Sequence, residues 1–215
     1  MRVCIIANSP DFEEQSVLAR AREAALVIVT DGAIERIPAQ LAPHIVCGDM
    51  DSHDPKVHGH RFPDTEWVNV ACQESNDLEK AIRIAIQRGA TEVELLCSFG
   101  GRIDQTLITL SVMEAFSDAM PITLFHNGWE VRMCGVSESR AGTHSCDLVP
   151  EALVSLIVRG DKAVVSLDNV QWPLTKEVLS PGSRGLSNRA LGGVVTLTVE
   201  HGCVAVCYRS EDKTS

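Results

Sequence analysis

Aromatic residues are scarce in this 215-residue chain: one Tyr, three Trp and five Phe make up 4% of it. Basic residues are also few, since 19 Lys and Arg stand against 29 Asp and Glu, which gives a formal net charge of −10. This acidic balance argues against binding to nucleic acid or to an anionic membrane surface. It does not exclude a phosphorylated substrate that is accompanied by a metal ion. Because aromatics are rare, each Trp is a candidate for a specific role.

The sequence also lacks an apolar run long enough to span a bilayer, and its first apolar run is too short for a signal peptide. We therefore expect a cytoplasmic protein. There are eight cysteines but no CxxC pair, and Cys4, Cys47 and Cys97 lie inside strand-like runs. This pattern favours reduced thiols that behave as small buried hydrophobes over a disulfide or zinc framework.

Residues 2 to about 126 alternate between strand-like and helix-like segments. Six short apolar runs predict strands: RVCIIAN, LVIVTDG, HIVCGD, EWVNVA, EVELLCS and PITLFHN. Three segments predict helices: EEQSVLARAREA, NDLEKAIRIAIQRGA and DQTLITLSVMEAFSDA. The second has a capping box at Asn76 and Glu79 and a stop at Gly89, and the third is apolar nearly all round, which predicts burial. The alternation indicates an α/β fold with a doubly wound, mostly parallel sheet.

After about residue 128 the segments become short, β-branched and separated by Gly, Pro, Asn and Asp. This pattern predicts a small all-β sandwich or barrel, with one possible helical turn near TKEVLS. We therefore expect two domains, an α/β domain at 1–130 and an all-β domain at 131–215.

Acidic residues follow the predicted strands, where open α/β sheets bind their ligands. Asp31 ends one strand, and Asp49 and Asp51 follow another with the spacing D-x-D. Residues two apart on an extended segment point to the same side, and like charges so close raise each other's pKa unless a cation lies between them. A hard cation such as Mg²⁺ suits this pair. The alternative is a capped turn beside an exposed acid.

Asp77 and Lys80 lie three residues apart in the first turn of the second predicted helix. An acid at a helix start is favoured by the helix dipole alone, which is the structural alternative. The functional interpretation makes Asp77 a further metal ligand and Lys80 a phosphate contact.

The segment SFGGRIDQTL places a glycine pair between a strand and a helix. Backbone N–H groups at Gly100 and Gly101 can meet an anion, and Arg102 adds a bidentate phosphate donor. Asp104 is a natural N-cap. Glycines in a tight turn are also common for steric reasons alone.

In the β region, Trp172 lies in VQWPL, and Ser187 and Asn188 lie in GLSN. Taken alone, these residues fit a packed core Trp and a hairpin turn.

Taken in order, DGAIERI, GDMDS, QESNDLEKAI, GGRIDQTL, VQWPL and GLSN resemble the thiamine pyrophosphokinase family along nearly the whole chain. The resemblance implies a transferase that makes thiamine diphosphate and AMP from thiamine and ATP with Mg²⁺. It also implies an α/β catalytic domain, a β domain that helps to bind thiamine, and a homodimer with thiamine sites at the subunit interface.

The matching motifs imply a role for each candidate residue. The implied metal ligands are Asp49, Asp51 and Asp77; the implied catalytic residues are Asp77, Lys80, Arg102 and Asp104; the implied nucleotide contacts are Asp31, Lys80, Gly100, Gly101 and Arg102; the implied thiamine contacts are Trp172, Ser187 and Asn188. Asp77 and Asp104 are both candidates for accepting the proton of the thiamine hydroxyl.

Three positions depart from the family pattern. Glu74 and Asn76 stand where the family usually has Asp and Thr, and Gln105 stands where it usually has His. Two alternatives therefore stay open: a related pyrophosphokinase for another hydroxyalkyl heterocycle such as a pterin, and a non-catalytic thiamine- or nucleotide-binding regulator.

Overall fold

The computed structural model describes residues 1–50, 59–72, 74–135 and 142–210. The chain divides into two compact units, one formed by Met1–Phe116 with Met120–His126 and the other by Ser117–Ala119 with Asn127–Ser215. None of the described helices is long and apolar enough to cross a membrane.

The first unit is an α/β structure in which strands and helices alternate along the chain. Its strands are β1 (Arg2–Ile6), β2 (Leu26–Thr30), β3 (Ile45–Gly48), β4 (Glu66–Asn69), β5 (Glu92–Leu96) and β6 (Ile122–His126). Its helices are α1 (Glu14–Arg22), α2 (Asp77–Gln87) and α3 (Ile103–Phe116), and a 3₁₀ helix covers Asp31–Arg36. The strands pair in parallel in the order β6-β5-β1-β2-β3-β4.

Helices cover both faces of this sheet because successive strand side chains point to opposite sides. Val17 and Ala21 of α1 share a buried cluster with Cys4 and Ile6 of β1. Helix α2 packs against β1, β2 and β3, and its buried side chains lie outside that cluster. The predicted α/β class with a mostly parallel sheet is confirmed.

Helix α2 begins and ends as the sequence predicts. The Asn76 side chain accepts a hydrogen bond from the Glu79 N–H at 2.9 Å, and Gly89 follows the helix with a left-handed φ of 80°. Glu79 does not complete the capping box, because its carboxylate pairs with Arg83 one turn later at 2.6 Å.

Helix α3 corrects the prediction of a well-buried helix. Only Thr109, Val112 and Met113 are buried, whereas Ile103 is 77% and Leu107 61% exposed. The sequence could not assign burial here because an all-round apolar helix has no preferred face, so packing alone decides which side is covered.

The second unit is antiparallel throughout. Its strands are β7 (Trp129–Gly135), β8 (Gly142–Leu148), β9 (Leu153–Asp168), β10 (Leu174–Leu179), β11 (Asn188–Arg189) and β12 (Gly193–Arg209). The pairing order is β10-β9-β12-β7, with β8 on β12 and β11 on β9. Strand β10 replaces the helical turn expected near TKEVLS. Its Glu177–Leu179 segment pairs with Ala163–Val165 of β9.

One hydrophobic core serves this β unit, with buried side chains from β7, β8, β9, β10 and β12. Strand β12 pairs with β8 through its first half and with β7 through its second half. The register shifts between Val199 and Cys203, and bulges of this kind bend a long strand so that its two halves serve different parts of a sheet. The predicted all-β second part is confirmed.

Candidate active site

The candidate active site is a cleft of about 630 Å³ in the α/β unit. Strand order reverses beside β1, because β2, β3 and β4 follow on one side and β5 and β6 on the other. Residues 7–10, directly after β1, and residues 97, 98 and 100–102, after β5, both line the cleft. Open α/β sheets bind their ligands at this kind of switch point. The cleft therefore lies where the topology alone would place a ligand.

Asp31 is a buried anchor at the end of β2, with 1% of its surface exposed. Its Oδ1 accepts a hydrogen bond from the Gly32 N–H at 2.6 Å and its Oδ2 one from the Met50 N–H at 3.1 Å. A Cβ at position 48 would lie 2.3 Å from the Asp31 Cγ, so glycine is required there. Asp31 thus fixes the turn that carries Asp49. It does not itself belong to the cleft lining among the described residues.

Lys80 is a buried cation that interacts with the carboxylates of Asp77, Asp49 and Asp31. Its side chain is 4% exposed, and its Nζ lies 3.0 Å from the Asp77 Oδ1. Burial favours a lower pKa for Lys80, but the hydrogen bond and charge of Asp77, with the charges of Asp49 and Asp31, outweigh burial and raise it. Lys80 therefore stays protonated at neutral pH.

The same cluster acts on Asp31. Burial, followed by the negative charge of Asp77 and, to a smaller extent, that of Asp49, raises the pKa of Asp31 despite its two backbone hydrogen bonds. The charges of Asp31, Asp49 and Asp77 thus act on one ammonium group, which Asp77 contacts directly, and the excess of negative charge favours another cation.

The donor chemistry of this cluster fits a hard divalent cation. Asp49 and Asp77 line the cleft with carboxylate oxygens, and Mg²⁺ commonly takes only one or two protein carboxylates, with waters and substrate phosphates as its other ligands. Within the described ranges, no three His, Cys, Asp or Glu side chains converge on one point as a complete protein site would require. The predicted ligand Asp51 lies outside the described residues.

Gly100 and Gly101 line the cleft at positions where a larger residue would clash with its neighbours. Gly100 and Gly101 have left-handed φ values of 91° and 70°. A Cβ on Gly100 would lie 2.2 Å from the carboxylate of Asp11, and one on Gly101 would lie 2.7 Å from the ring of Pro10. A wall made of bare backbone permits the close approach of an anion.

Arg102 lines the mouth of the cleft with a 73% exposed side chain. Its guanidinium holds the Asp104 carboxylate in a fork, with Nε 3.0 Å from Oδ1 and Nη2 2.5 Å from Oδ2. This hydrogen bonding is the main reason that the pKa of Asp104 is lowered. Asp104 lies inside the first turn of α3 rather than at its N-cap, because the helix begins at Ile103. It is not part of the cleft lining.

Sequence reasoning missed several small polar residues that line the cleft: Asn8, Ser9, Cys72 and Thr109. The Ser9 hydroxyl donates to the Phe99 carbonyl oxygen and accepts from the Asp11 N–H at 3.1 Å, which ties the loop after β1 to the loop after β5. For Asn8 and Ser9, their position directly after the central strand β1 was the available signal. Among the departures from the family pattern, Asn76 and Gln105 line this cleft and Glu74 lines a neighbouring cleft of about 400 Å³.

In the β unit, Trp172 is 55% exposed, which rules out the interpretation of a packed core Trp. Asn188 is 5% exposed and brackets the Trp172 backbone, donating to its carbonyl oxygen at 2.7 Å and accepting from its N–H at 3.1 Å. Ser187 has a left-handed φ of 59° and donates its N–H to the Ser155 hydroxyl at 3.0 Å. The structure thus brings Trp172 and Asn188 together.

Taken with the fold, the cleft defines an α/β protein with a charged, phosphate-compatible site, followed in the chain by an antiparallel β unit. Residues 18–124 match the family model described as the thiamin pyrophosphokinase catalytic domain, and the chain belongs to the thiamin pyrophosphokinase family. It is 28% identical over 131 residues to Thiamin pyrophosphokinase 1 of Caenorhabditis elegans, an alignment covering 54% of this chain. The chain spans about half the length of that relative, at 51%.

The fold is shared with solved structures. A thiamine pyrophosphokinase from Bacillus subtilis has a TM-score of 0.84 at 17% identity, covering 99% of this chain and 100% of that one. A thiamin pyrophosphokinase from Geobacillus thermodenitrificans has a TM-score of 0.80 at 21% identity, covering 100% of this chain and 99% of that one. A thiamin pyrophosphokinase from Candida albicans has a TM-score of 0.78 at 12% identity, covering 98% of this chain and 89% of that one. At these identities the likeness shows the fold alone.

Proposed function

We propose that this protein is a thiamine diphosphokinase, which transfers the pyrophosphoryl group of ATP to the hydroxyl of thiamine and releases AMP. The observation that carries the proposal is the buried Lys80 among Asp31, Asp49 and Asp77 at the switch point of the sheet. A permanent cation beside carboxylates that favour Mg²⁺ suits a metal-bound triphosphate. Family membership supports the same substrates.

In the proposed reaction, the hydroxyethyl oxygen of thiamine attacks the β-phosphorus of ATP in line. A bond forms between that oxygen and the β-phosphorus, the bond to the oxygen bridging the α-phosphorus breaks, and AMP leaves with that oxygen. Lys80, Arg102 and the backbone N–H groups near Gly100 and Gly101 stabilise the negative charge that develops on the phosphate oxygens.

The metal proposed for this site is Mg²⁺, held by Asp49 and Asp77 with substrate oxygens, and by Asp51 on the evidence of the sequence alone. When bound, it neutralises phosphate charge and orients the polyphosphate chain. Lys80 keeps the neighbouring carboxylates compatible with the nucleotide, because without its charge the cluster would repel a polyphosphate.

For the proton of the thiamine hydroxyl, we propose Asp77 as the acceptor. Each carboxylate is paired with a cation, but Asp77 lines the cleft whereas Asp104 lies outside its lining. A lowered pKa also makes Asp104 a weaker base. Asp104 then acts by positioning Arg102.

For thiamine, we propose contacts with Trp172, Ser187 and Asn188 in the β unit. The exposed indole offers a face for the aminopyrimidine ring or for the thiazolium cation. Asn188 fixes the backbone of Trp172, so little conformational freedom is lost on binding.

The decisive experiment is an assay for AMP release from ATP and Mg²⁺ with a panel of acceptors that includes thiamine and a hydroxymethyl pterin. Thiamine-dependent AMP with a matching yield of thiamine diphosphate supports the proposal. AMP release with another acceptor identifies a related pyrophosphokinase. Tight binding of both ligands without AMP identifies a regulator.

A further inference from the structure

The hydroxyl group of Ser98, in the candidate active site, is buried without a hydrogen-bond partner. Ser98 follows β5, lines the cleft and is 9% exposed. Its Oγ is the one buried side-chain nitrogen or oxygen in the described part of the chain that has no hydrogen-bond partner. A buried hydroxyl without a partner destabilises a fold, so such an atom calls for an explanation.

The backbone around Ser98 is held in place. The Ser98 carbonyl oxygen accepts from the Thr109 hydroxyl at 3.2 Å, and the Cys97 carbonyl oxygen accepts from the Ser9 N–H at 2.9 Å. Cys97 has a left-handed φ of 53°, a conformation that costs free energy for any residue other than glycine. Strained backbone of this kind concentrates at ligand sites, where the surrounding structure enforces it.

The surroundings indicate which partner the hydroxyl would take. The cleft that Ser98 lines holds the cations Lys80 and Arg102 and the bare backbone of the glycine pair, together with the carboxylates of Asp49 and Asp77. The cations and the bare backbone favour a ligand rich in acceptor oxygens, and the carboxylates suit a metal ion bound to that ligand. A serine hydroxyl has one O–H to donate, and rotation about χ1 changes its direction without moving the backbone.

We propose that the Ser98 hydroxyl donates a hydrogen bond to a phosphate oxygen of the nucleotide bound in this cleft. The inference rests on the proposed function in that the ligand is ATP. It adds a binding residue that the sequence motifs did not assign a role, and it explains why a buried donor is left without a protein partner. The substitution Ser98→Ala should therefore weaken nucleotide binding without lowering the stability of the nucleotide-free protein.

The experiment measures MgATP binding by isothermal titration calorimetry with thiamine absent, together with the melting temperature of the nucleotide-free protein. For Ser98→Ala we expect the Kd for MgATP to rise about tenfold or more, as for a lost hydrogen bond to a charged group. We expect adenosine affinity to stay unchanged and the melting temperature of the free protein to stay equal or rise.

Ser166→Ala is the matched control, because the Ser166 hydroxyl accepts a hydrogen bond from the Lys176 N–H at 3.0 Å in the β unit. It should lower the melting temperature and leave MgATP affinity alone. If a water molecule satisfies the hydroxyl, Ser98→Ala will bind MgATP as tightly as the wild type does, and that result overturns the inference. A wild-type protein that binds no MgATP also overturns it. Equal weakening of adenosine and MgATP also overturns it. Because no turnover is measured, a loss of the proposed kinase activity with intact MgATP binding counts against the proposed function only.

Discussion

The ammonium group of Lys80 lies 3.0 Å from the Asp77 carboxylate, and the lysine side chain is almost fully buried while that of Asp77 is 38% exposed. The two residues are three apart at the start of α2, so they lie on the same side of the helix, and both line the cleft. This ion pair places a cation suited to phosphate directly beside carboxylates suited to Mg²⁺.

Replacing Lys80 by Met should abolish turnover and lower stability. The variant keeps the aliphatic stem but leaves Asp31, Asp49 and Asp77 without their shared cation, so we expect kcat to fall at least 100-fold. We expect the free energy of unfolding to fall by about 1–3 kcal/mol, less than for a fully buried pair because Asp77 is partly solvated. Urea denaturation and the AMP assay measure the two effects.

Arg83→Met is the control on the same helix, since Arg83 forms an exposed pair with Glu79. Its stability change should stay within about 1 kcal/mol, with normal turnover. A Lys80→Met protein with wild-type kcat would contradict the proposed charge stabilisation.

Asp49→Asn should lower kcat by orders of magnitude while the fold survives. Removing one of several like charges relieves repulsion, so the melting temperature should stay equal or rise. The Mg²⁺ concentration that gives half-maximal rate should increase, which a purely structural role would not produce. Asp118→Asn, at an exposed acid, is the control. On sequence grounds the same outcome is expected for Asp51→Ala, and near-normal turnover in both variants would remove the metal assignment.

Trp172→Ala should raise KM for thiamine about tenfold or more and leave ATP binding unchanged. Because Trp172 is 55% exposed, truncation should shift the melting temperature little, in contrast to the roughly 3–5 kcal/mol lost when a core Trp is truncated. Trp172→Phe should restore part of the thiamine affinity because it keeps a flat aromatic face. An unchanged thiamine KM in a well-folded Trp172→Ala protein would end the stacking proposal.

We expect a homodimer whose interface includes the β unit. Exposed apolar side chains such as Val178 and Val194 in that unit, and Ile103 and Leu107 on α3, offer surface for a second copy. Light scattering measures the mass, and hydrogen exchange across a dilution series should show protection of β-unit strands that decreases as the dimer dissociates. A fully active monomer at assay concentration would contradict this.

The stability of the β unit should fall in acid through His144. Burial, with the charge of Arg132, lowers the pKa of His144 to about 4 from an ordinary 6.5. The unfolded chain therefore binds the proton more tightly, and this contribution to stability is lost as the pH falls from about 6.5 to about 4. His144→Phe keeps a ring against Tyr208 and removes the titration. Urea denaturation at pH 7.5 and 4.5 should show a smaller loss for the variant; equal losses would contradict the assignment.

Some site features followed directly from local sequence patterns. The Asn76 cap and the left-handed Gly89 were predictable because capping depends on residues only three or four positions apart. The alternation of strands and helices predicted the parallel sheet, and a parallel sheet places Asp49, Asp77 and Lys80 near one edge. Their metal, phosphate and proton-transfer roles stay predictions, as do those of Arg102, Asp104, Trp172, Ser187 and Asn188.

Other features depended on contacts between segments far apart in sequence. The nucleotide contact of Asp31 stays a prediction, but its burial was not predictable: Asp31 is buried and is not among the residues that line the cleft, and Gly48 leaves room for its carboxylate. The exposure of Trp172 and of one face of α3 could not be predicted from the sequence either. Neither the Trp motif nor an all-round apolar helix specifies which surface its neighbours cover.

The sequence by itself determined most of the element types, the family and the residues that carry charge, because propensity, periodicity and motif order are properties of neighbouring residues. Only the tertiary structure decided which of those charges meet. Lys80 receives its partners from two strand ends and its own helix, whereas the hydroxyl of Ser98 is buried without a partner in the described part of the chain. Burial and long-range proximity are set by the packing of the whole unit, which no local pattern encodes.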